Sequence, residues 1–419
     1  MKECAVGKAQ RSLESLYISY DGILEPLGQS QVVNYLFGLA SSTRQTLISF
    51  EKPADLARTD KVCSLKAALR DAGIRWIRLT YHKRPPLIST LWDISKGMMA
   101  GLSVCFRRRV QVVHARGYVP ALIALFLKRV AGPKFLFDMR GFWADEKVDG
   151  GHWSRDSVIY SITKRCERLF FESADAVVSL THEGAKTIHE LGYALRPETR
   201  VHVIPTCTDL STFAPGPKDP VLLSSLGLEG HRVIGCVGSM SNWYLRESML
   251  QYLGCLTRHF DTLKLLIVTR EDHDRLRDDA LRAGIPSERL VLTQSQFSDV
   301  PKYMRLMDVG LFFIRVCFSK KGSAATKLGE FLACGVPVII NDGIGDSGWI
   351  VRKHDIGIVL PDTTADEFQQ SLPTVNKLFH DTAISTRCRE TARQYFDLKA
   401  GIEKYAAIYR DLAGVTTSG

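Results

Sequence analysis

The stretch SKKGSAATKLGEFLACGVPVII, residues 319–340, decides the fold. It follows the apolar run 310–314 and predicts a loop, a helix over residues 326–334 and a buried strand at 337–340. Gly335 and Pro337 end this helix, because glycine favours the left-handed C-terminal position and proline lacks a backbone N–H. Two apolar strands joined through a helix are typical of a parallel sheet that helices cover on both faces.

The same alternation of short apolar runs and helical patterns continues along the whole chain. Further strands are predicted in the first half at 16–19, 46–50, 76–79, 110–115, 135–138, 176–180 and 201–204. In the second half they are predicted at 233–237, 265–268, 290–292 and 357–360. Strands that alternate with helices in this way indicate an α/β protein with doubly wound parallel sheets.

A proline-rich segment separates the two halves, since residues 205–220 contain four prolines and little hydrophobic periodicity. The 419 residues also exceed what one hydrophobic core usually serves. We predict an N-terminal tail, a first domain, a linker, a second domain and a closing helical segment. Their limits are 1–14, 15–205, 206–230, 231–395 and 396–419. Residues 398–412 place their apolar side chains on one stripe, as expected for an amphipathic helix.

The composition narrows the class of protein. A net charge of +10 favours anionic partners, such as nucleotide diphosphates, nucleic acid or acidic lipids. Ten cysteines are scattered without a Cys-x-x-Cys pair, so a zinc site is not expected. Residues 1–14 lack the apolar core of a signal peptide, and no apolar stretch has the length of a spanning helix. The expected location is therefore cytoplasmic, or peripheral on a membrane.

The loop before the Thr326 helix is the strongest candidate for a binding site. Free N–H groups at a helix start, the helix dipole, hydroxyl groups and lysine charge all favour an anion there. The residues that supply these groups are Ser319, Lys320, Lys321, Gly322, Ser323 and Thr326. Glu330 lies about one turn beyond Lys327 on nearly the same face. The alternative is an exposed Lys–Glu helix pair.

Four other loops follow predicted strands, at the sheet edge where ligands of open parallel sheets bind. They are DGILEPLGQSQ (21–31), VVHARGY (112–118), DMRGFWADEKVDGGHW (138–153) and GCVGSMSNWY (235–244). The first offers Gly28 and Gln29, and the last offers the backbone N–H groups of Gly238 and Ser239. Both are also explained by ordinary strand-to-helix turns. Neither is a G-x-G-x-x-G motif, so a nicotinamide cofactor is poorly supported.

The second and third loops hold candidate catalytic residues. Arg140 and Asp145 lie among tryptophans, and this mixture suits a carbohydrate site because carboxylates accept hydroxyl hydrogen bonds and aromatic faces stack on sugars. Arg–carboxylate pairs also staple loops, and His114 alone is more often a satisfied histidine at a strand end. Residues 272–274, Asp-His-Asp, look like a metal motif, but helix capping explains them better. No metal or cofactor is expected.

The sequence blocks taken together have a family likeness. The most specific blocks are LEPLGQSQ, DMRGFWADE and TKLGEFLACGVPV, and ADAVVSLTHEGAKTI and VIPTCTD stand between them. In these blocks the chain resembles glycosyltransferase family 4 over nearly its whole length. The resemblance implies the GT-B fold, in which two Rossmann-like domains face a central cleft and the C-terminal helix crosses back to the N-terminal domain. It also implies a nucleoside-diphosphate sugar donor, retention of configuration and no metal.

The resemblance also implies roles for individual residues. Glu330 corresponds to the second glutamate of the family's Glu-x7-Glu element, which hydrogen-bonds the donor ribose. Lys327 and the loop 320–326 correspond to contacts with the diphosphate and the sugar. Residues 28–30 correspond to the first-domain loop that closes over the donor. Arg140 and Asp145 are expected near the transferred sugar or the acceptor.

The chain departs from the family pattern in three regions. Gly322 stands where the first glutamate is usual, and Arg140 stands where many relatives carry a histidine. The Arg and Lys usual after the first strand of the second domain are absent, unless Arg246 serves. Phosphate charge must then be neutralised elsewhere. The candidates are Arg270, Arg315, Lys320, Lys321 and Lys327.

The predicted function is transfer of a sugar from a nucleoside-diphosphate sugar to a glycan or lipid-linked acceptor, in cell-envelope polysaccharide or glycoconjugate synthesis. Three alternatives remain: a nucleotide-sugar epimerase of the same build, a non-catalytic sugar-nucleotide-binding partner, and a nucleic-acid-binding protein. Only net charge suggests the last one, and no motif supports it. The basic, apolar segment 82–109 either rests on an anionic membrane or packs on its own sheet.

Overall fold

Two separate parallel sheets organise the chain. A computed structural model describes residues 13–415. Residues 1–12 of the predicted N-terminal tail and residues 416–419 of the predicted closing segment lie outside the described residues.

The first sheet has seven strands in the order β3-β2-β1-β4-β5-β6-β7. The strands are β1 (Leu13–Ser19), β2 (Thr43–Glu51), β3 (Arg75–Thr80), β4 (Val112–Arg116), β5 (Lys134–Asp138), β6 (Ala176–Ser179) and β7 (Arg200–Val203). The accompanying helices are α1 (Pro26–Gly28), α2 (Asn34–Leu39), α3 (Pro53–Leu56), α4 (Thr59–Asp71), α5 (Pro86–Arg108), α6 (Tyr118–Ala131), α7 (Trp143–Asp149), α8 (Val158–Ser173) and α9 (His182–Glu190). A π-helix, Gln29–Val33, joins α1 to α2.

The second sheet has six strands in the order β10-β9-β8-β11-β12-β13. The strands are β8 (Arg232–Val237), β9 (Leu263–Val268), β10 (Leu290–Thr293), β11 (Val309–Phe312), β12 (Val338–Asn341) and β13 (Gly357–Leu360). The helices are α10 (Pro220–Ser225), α11 (Arg246–His259), α12 (His273–Arg282), α13 (Val300–Leu306), α14 (Thr326–Ala333), α15 (Ser347–His354), α16 (Ala365–His380), α17 (Ile384–Phe396) and α18 (Leu398–Leu412). One continuous core fills this half.

Helices cover both faces of the first sheet. On one face α5, α6 and α8 enclose a core that includes Phe50 and Phe137. On the other face α18 packs against α2, and its Tyr405 and Tyr409 are buried with Val112 of β4. The C-terminal helix therefore crosses back onto the N-terminal half, as predicted.

The fold class predicted from the sequence is confirmed, and each predicted strand overlaps a strand of the structure. Every described strand pairing is parallel, in agreement with strands that are apolar on both faces. The predicted linker contains the short helix α10, which begins at Pro220 because the Asp219 carboxylate accepts hydrogen bonds from Val221 N and Leu222 N. The domain limits themselves stay a prediction.

The decisive stretch folds as its residues dictate. The lysine-bearing segment forms a 3-10 turn, Phe318–Gly322, which we call the lysine turn. α14 then runs from Thr326 to Ala333. Gly335 has a φ of +76°, so it takes the left-handed position that ends the helix, and its N–H donates to Leu332 O.

α5 has one face packed against the protein and one face exposed to solvent. Its inner face packs closely on α6, because Gly97 and Gly101 leave room for the side chains of Ile123 and Leu127. Its outer face exposes Leu87, Ile88, Leu91, Trp92, Met99 and Phe106. Within residues 13–415 no helix has an apolar run long enough to cross a bilayer.

Candidate active site between the two sheets

The carboxyl ends of the first-sheet strands border a cavity of about 500 Å³. Its wall includes Arg116 at the end of β4, Arg140 just after β5, and Tyr118 and Trp143 from α6 and α7. Thr326, the first residue of α14, reaches the same cavity from the second half. The cavity therefore lies between the two sheets, at the edge where open parallel sheets bind ligands.

Lys327 and Glu330 lie on α14, just beyond the residue that lines this cavity, Thr326. The Lys327 ammonium donates to Ser239 O at 2.9 Å and lies 3.6 Å from the centre of the Tyr244 ring. Glu330 is 9% exposed, and no hydrogen bond holds its carboxylate among the described residues. Burial lowers the pKa of Lys327 to about 8 and raises that of Glu330 to about 7. The alternative of an exposed Lys–Glu pair is wrong, because Glu330 is buried and Lys327 bonds elsewhere.

The loop after β8 brings its backbone to Lys327. Gly238 has a φ of +82°, and a Cβ there would lie 3.4 Å from Lys327 Cε. Ser239 supplies the carbonyl oxygen that Lys327 binds, and its hydroxyl donates to Glu271 Oε1 at 2.8 Å. Gly238 and Ser239 are therefore positioned beside the candidate cation.

Glu271 organises this loop and was missed from the sequence. One carboxylate oxygen accepts from Met240 N, Ser241 N and Ser241 Oγ, and the other pairs with Arg246. Although burial opposes the charge, these donors lower the pKa of Glu271 to about 2. Arg246 also pairs with Asp279, so it holds the loop and is not free for a phosphate. The only sequence signal was a carboxylate just after β9.

The lysine turn closes against the first half instead of forming an open cradle. Lys320 is 6% exposed, and its ammonium donates to Glu146 Oε1 at 3.0 Å and lies 3.6 Å from the Trp243 ring centre. Ser319 N donates to Asp149 Oδ2 at 2.9 Å. The prediction that Ser319 and Lys320 help to bind an anion therefore needs correction, because carboxylates of the first half already occupy these donors.

Two further contacts tighten the lysine turn. Thr181 Oγ1 donates to Lys321 O at 2.6 Å, and Ser323 Oγ donates to Ser319 O at 3.5 Å. A Cβ on Gly322 would lie 3.1 Å from the Phe142 ring, so the absent side chain lets the turn approach the first half. The glutamate that the family pattern places there would press against the Phe142 ring.

The N-terminus of α14 remains open towards the cavity. Ala325 in the N-cap position makes no side-chain capping hydrogen bond. Thr326 lines the cavity directly. Backbone N–H groups without a cap at this end are suited to an anion.

Arg140 is in the cavity, whereas His114 is not. The Arg140 guanidinium lies 3.9 Å from Asp138 Oδ2. His114 is 1% exposed, with Nδ1 2.8 Å from the Tyr409 hydroxyl and Nε2 3.4 Å from Asp138 Oδ2. Burial lowers the pKa of His114. The catalytic prediction for His114 is corrected, because both ring nitrogens bond to protein away from the cavity.

Asp145 is also turned away from the cavity. It is 3% exposed and accepts from Tyr160 Oη at 2.8 Å and from Lys164 Nζ at 3.0 Å. These two bonds join α7 to α8, so the catalytic prediction for Asp145 needs the same correction. The neighbouring Glu146 lines the cavity instead.

Gly28 and Gln29 border the cavity without a direct role in it. A Cβ on Gly28 would lie 2.1 Å from Gly22 O, so this glycine is required by the protein's own backbone. Gln29 begins the π-helix, and Leu27 and Gln31 on either side of the pair line the cavity.

One predicted phosphate contact lies elsewhere. Arg270 donates to Ser295 O at 3.2 Å and Gln296 Oε1 at 3.1 Å, beside a separate cavity of about 560 Å³ in the second half. Arg315 is exposed, with its guanidinium 5.9 Å from the centre of the same Trp243 ring that Lys320 contacts. The structure therefore gathers Lys327, Glu330, Gly238 and Ser239, and leaves Arg270 apart.

The Asp-His-Asp segment has the capping role that the sequence favoured. Asp272 Oδ1 accepts hydrogen bonds from Asp274 N and Arg275 N at the start of α12. Within residues 13–415, His, Cys, Asp and Glu side chains form no group of three suited to a metal ion.

Several solved structures have a similar fold. Sucrose-phosphate synthase from Thermosynechococcus elongatus matches over 96% of this chain and 100% of its own, with a TM-score of 0.70 and 16% identity. HepE from Anabaena, in complex with UDP and glucose, matches over 94% and 99%, with a TM-score of 0.67 and 16% identity. A putative UDP-N-acetylglucosamine 2-epimerase from Listeria monocytogenes matches over 97% and 98%, with a TM-score of 0.62 and 12% identity. At these identities the likeness shows the fold.

Matches to sequence families identify the class of protein, which the similar structures alone do not. No curated protein matches the chain. Residues 44–207 match the family described as glycosyl transferase 4-like domain, and residues 231–375 match the family described as glycosyl transferases group 1. The chain belongs to the glycosyltransferases of GT-B architecture, with a 4-like domain followed by a group 1 domain.

Proposed function

We propose that this glycosyltransferase takes a sugar from a nucleoside-diphosphate sugar and transfers it, with retention and without a metal, to a glycan or lipid-linked acceptor. The observation that carries this proposal is the pair of a half-buried Lys327 and a buried Glu330 beside the glycine loop and the uncapped start of α14. A cation and a helix N-terminus suit a diphosphate, and a carboxylate without a partner suits the ribose hydroxyls.

The chemistry would be electrostatic. Lys327 and the first N–H groups of α14 stabilise the diphosphate as the bond from its oxygen to the anomeric carbon breaks. The departing phosphate oxygen takes the proton of the acceptor hydroxyl as the new bond forms on the same face. Lys320 contributes indirectly, because its pair with Glu146 holds the lysine turn against the first half.

The experiment is titration calorimetry with UDP, the nucleotide bound by the solved HepE. Glu330→Ala should weaken binding about tenfold, because the ribose loses its acceptor. Glu229→Ala, a change at an exposed site, is the matched control. Unchanged affinity and turnover in Glu330→Ala would overturn the assignment.

Product analysis by NMR distinguishes transfer from epimerisation, since only an epimerase converts the donor without an acceptor. Binding without any turnover would identify a non-catalytic partner.

We also propose that the outer face of α5 rests on an anionic membrane at the cytoplasmic side. Its exposed apolar side chains stand beside basic residues that complement acidic headgroups. These basic residues are Lys83, Arg84, Lys96, Arg107 and Arg108. The inner face packs on α6 and the sheet, so the membrane contact is proposed for the outer face alone. Liposome flotation should depend on anionic lipid and should be lost in Ile88→Ser/Trp92→Ser.

This surface would suit synthesis of cell-envelope polysaccharide or glycoconjugates on a lipid carrier. No nucleic acid is proposed as a partner. A salt-dependent shift of DNA mobility would contradict this view.

A further inference from the structure

Arg140 is a buried cation without a hydrogen bond. Only 15% of its side chain is exposed, and the nearest carboxylate oxygen, Asp138 Oδ2, is 3.9 Å from Nη1. That oxygen already accepts from Tyr405 Oη at 3.1 Å. Among the described residues no group accepts a hydrogen bond from the guanidinium. This group is always positively charged and carries N–H donors that need acceptors.

The backbone holds Arg140 in this place. Its φ is +58°, in the left-handed region that an arginine adopts at a cost. Such strain persists where the surrounding structure enforces it, and it is common at ligand sites. Here it directs the residue after β5 into the cavity wall.

A second arginine on the same wall is also incompletely paired. Arg116 is 7% exposed, and Nη1 bonds to Asp21, but Nε is buried without a partner. The nearby Gln31 is 3% exposed, and its Oε1 also lacks a partner. Buried polar atoms without partners are rare in native proteins, so these two mark a wall whose hydrogen bonding is incomplete. A ligand would reach this wall through the arginine side chains that line the cavity.

The rest of the wall includes four aromatic side chains, Tyr20, Tyr81, Tyr118 and Trp143. It also includes the carboxylates of Asp21 and Glu146, which are already paired with Arg116 and Lys320. Thr90 of α5 also lines the cavity, and the next residue along α5, Leu91, is exposed on the outer face. The cavity therefore extends from two guanidinium groups to the helix that we propose to lie on a membrane.

We propose that Arg140 and Arg116 form an anion site for the phosphate of a lipid-linked acceptor, distinct from the diphosphate site at Lys327. This inference rests on the proposed function, since it names the acceptor of that reaction. Guanidinium groups bind phosphate oxygens in pairs of hydrogen bonds. Lys327 and Glu330 do not line this cavity, and only Thr326 is shared between the cavity and α14.

The test is calorimetry on the full chain with UDP at saturation and farnesyl phosphate as the probe. Farnesyl phosphate should bind at least about tenfold more tightly than farnesol, because only the former carries the anion. Arg140→Gln and Arg116→Gln should each weaken this binding about tenfold and change UDP affinity by less than about twofold. The control variant Arg165→Gln, at an exposed position of α8, should change neither.

Three results would overturn the proposal: equal binding of farnesol, displacement of farnesyl phosphate by UDP, or unchanged affinity in both arginine variants. Arg140→Gln removes the cation beside buried Asp138, so it has the greater risk of misfolding. Arg116→Gln releases the largely exposed Asp21 and serves if the other variant does not fold. Lys327→Met should lose UDP but keep farnesyl phosphate, so failure of the donor assignment is distinguishable from failure of this one.

Discussion

Lys320 lies in the lysine turn and Lys327 lies at the start of α14, and the two differ in their ion pairing. Each ammonium lies 3.6 Å from the centre of an aromatic ring, Trp243 for the first and Tyr244 for the second. Lys320 also pairs with a carboxylate of the first half, Glu146, whereas Lys327 has no carboxylate partner among the described residues. The ion pair, and not the ring contact, therefore separates a lysine that joins two domains from one that is available to an anion.

Replacing each lysine by methionine tests this difference most strongly. Lys327→Met should weaken UDP binding by about 2–3 kcal/mol, because a charge-assisted hydrogen bond to phosphate is lost. Lys320→Met should change UDP affinity by less than about threefold, while it lowers the melting temperature by leaving Glu146 unpaired. Calorimetry and thermal unfolding measure the two effects. Equal losses of UDP affinity would contradict the comparison.

The pH dependence of stability tests the environment of Glu330. Burial raises its pKa from 4.5 to about 7, so between these values the native protein holds a proton that the unfolded chain has released. Wild-type stability should therefore fall as pH rises through this window, by about 2–3 kcal/mol more than that of Glu330→Gln. Groups that do not interact with Glu330 titrate in both proteins and cancel in the difference.

Urea unfolding of the two proteins at about pH 4.5 and about pH 7 measures this difference. A difference that stays constant with pH would mean that Glu330 titrates normally and is well solvated. In that case the environment of Lys327 and Glu330 would be open to water, and Lys327 would not differ from a surface lysine.

The sequence predicted the fold well because its signals are local. Most strands are short apolar runs, and the end of α14 follows from the neighbouring Gly335 and Pro337. The site was predicted less well, because side-chain partners come from distant segments. His114 bonds to Tyr409, and Lys320 bonds to Glu146. The residues around either partner in the sequence do not indicate these contacts. Only the packed structure reveals which charged residues are already satisfied.

Gly322 should be the position where the closed turn is most easily opened. Gly322→Glu places a side chain against the Phe142 ring, 3.1 Å from its Cβ, and should destabilise the protein by about 2 kcal/mol through overpacking. Gly322→Ala adds only the Cβ and should cost about half as much. Chemical denaturation measures both. If Gly322→Glu were as stable as wild type, the lysine turn would not be packed tightly against the first half. The ion pair between Lys320 and Glu146 would then not hold the turn closed.

Tyr409→Phe gives the smallest expected effect and extends the comparison to the first domain. His114, like Lys320, is bonded to protein on more than one side, and the Tyr409 hydroxyl lies 2.8 Å from its Nδ1. Loss of that buried hydroxyl should lower the free energy of unfolding by about 1 kcal/mol. Donor KM and kcat should not change, because a satisfied histidine away from the cavity touches no substrate. A kcat that fell while the melting temperature stayed unchanged would instead indicate that His114 takes part in the reaction. The presence of protein hydrogen-bond partners would then no longer distinguish structural residues from ligand-binding residues.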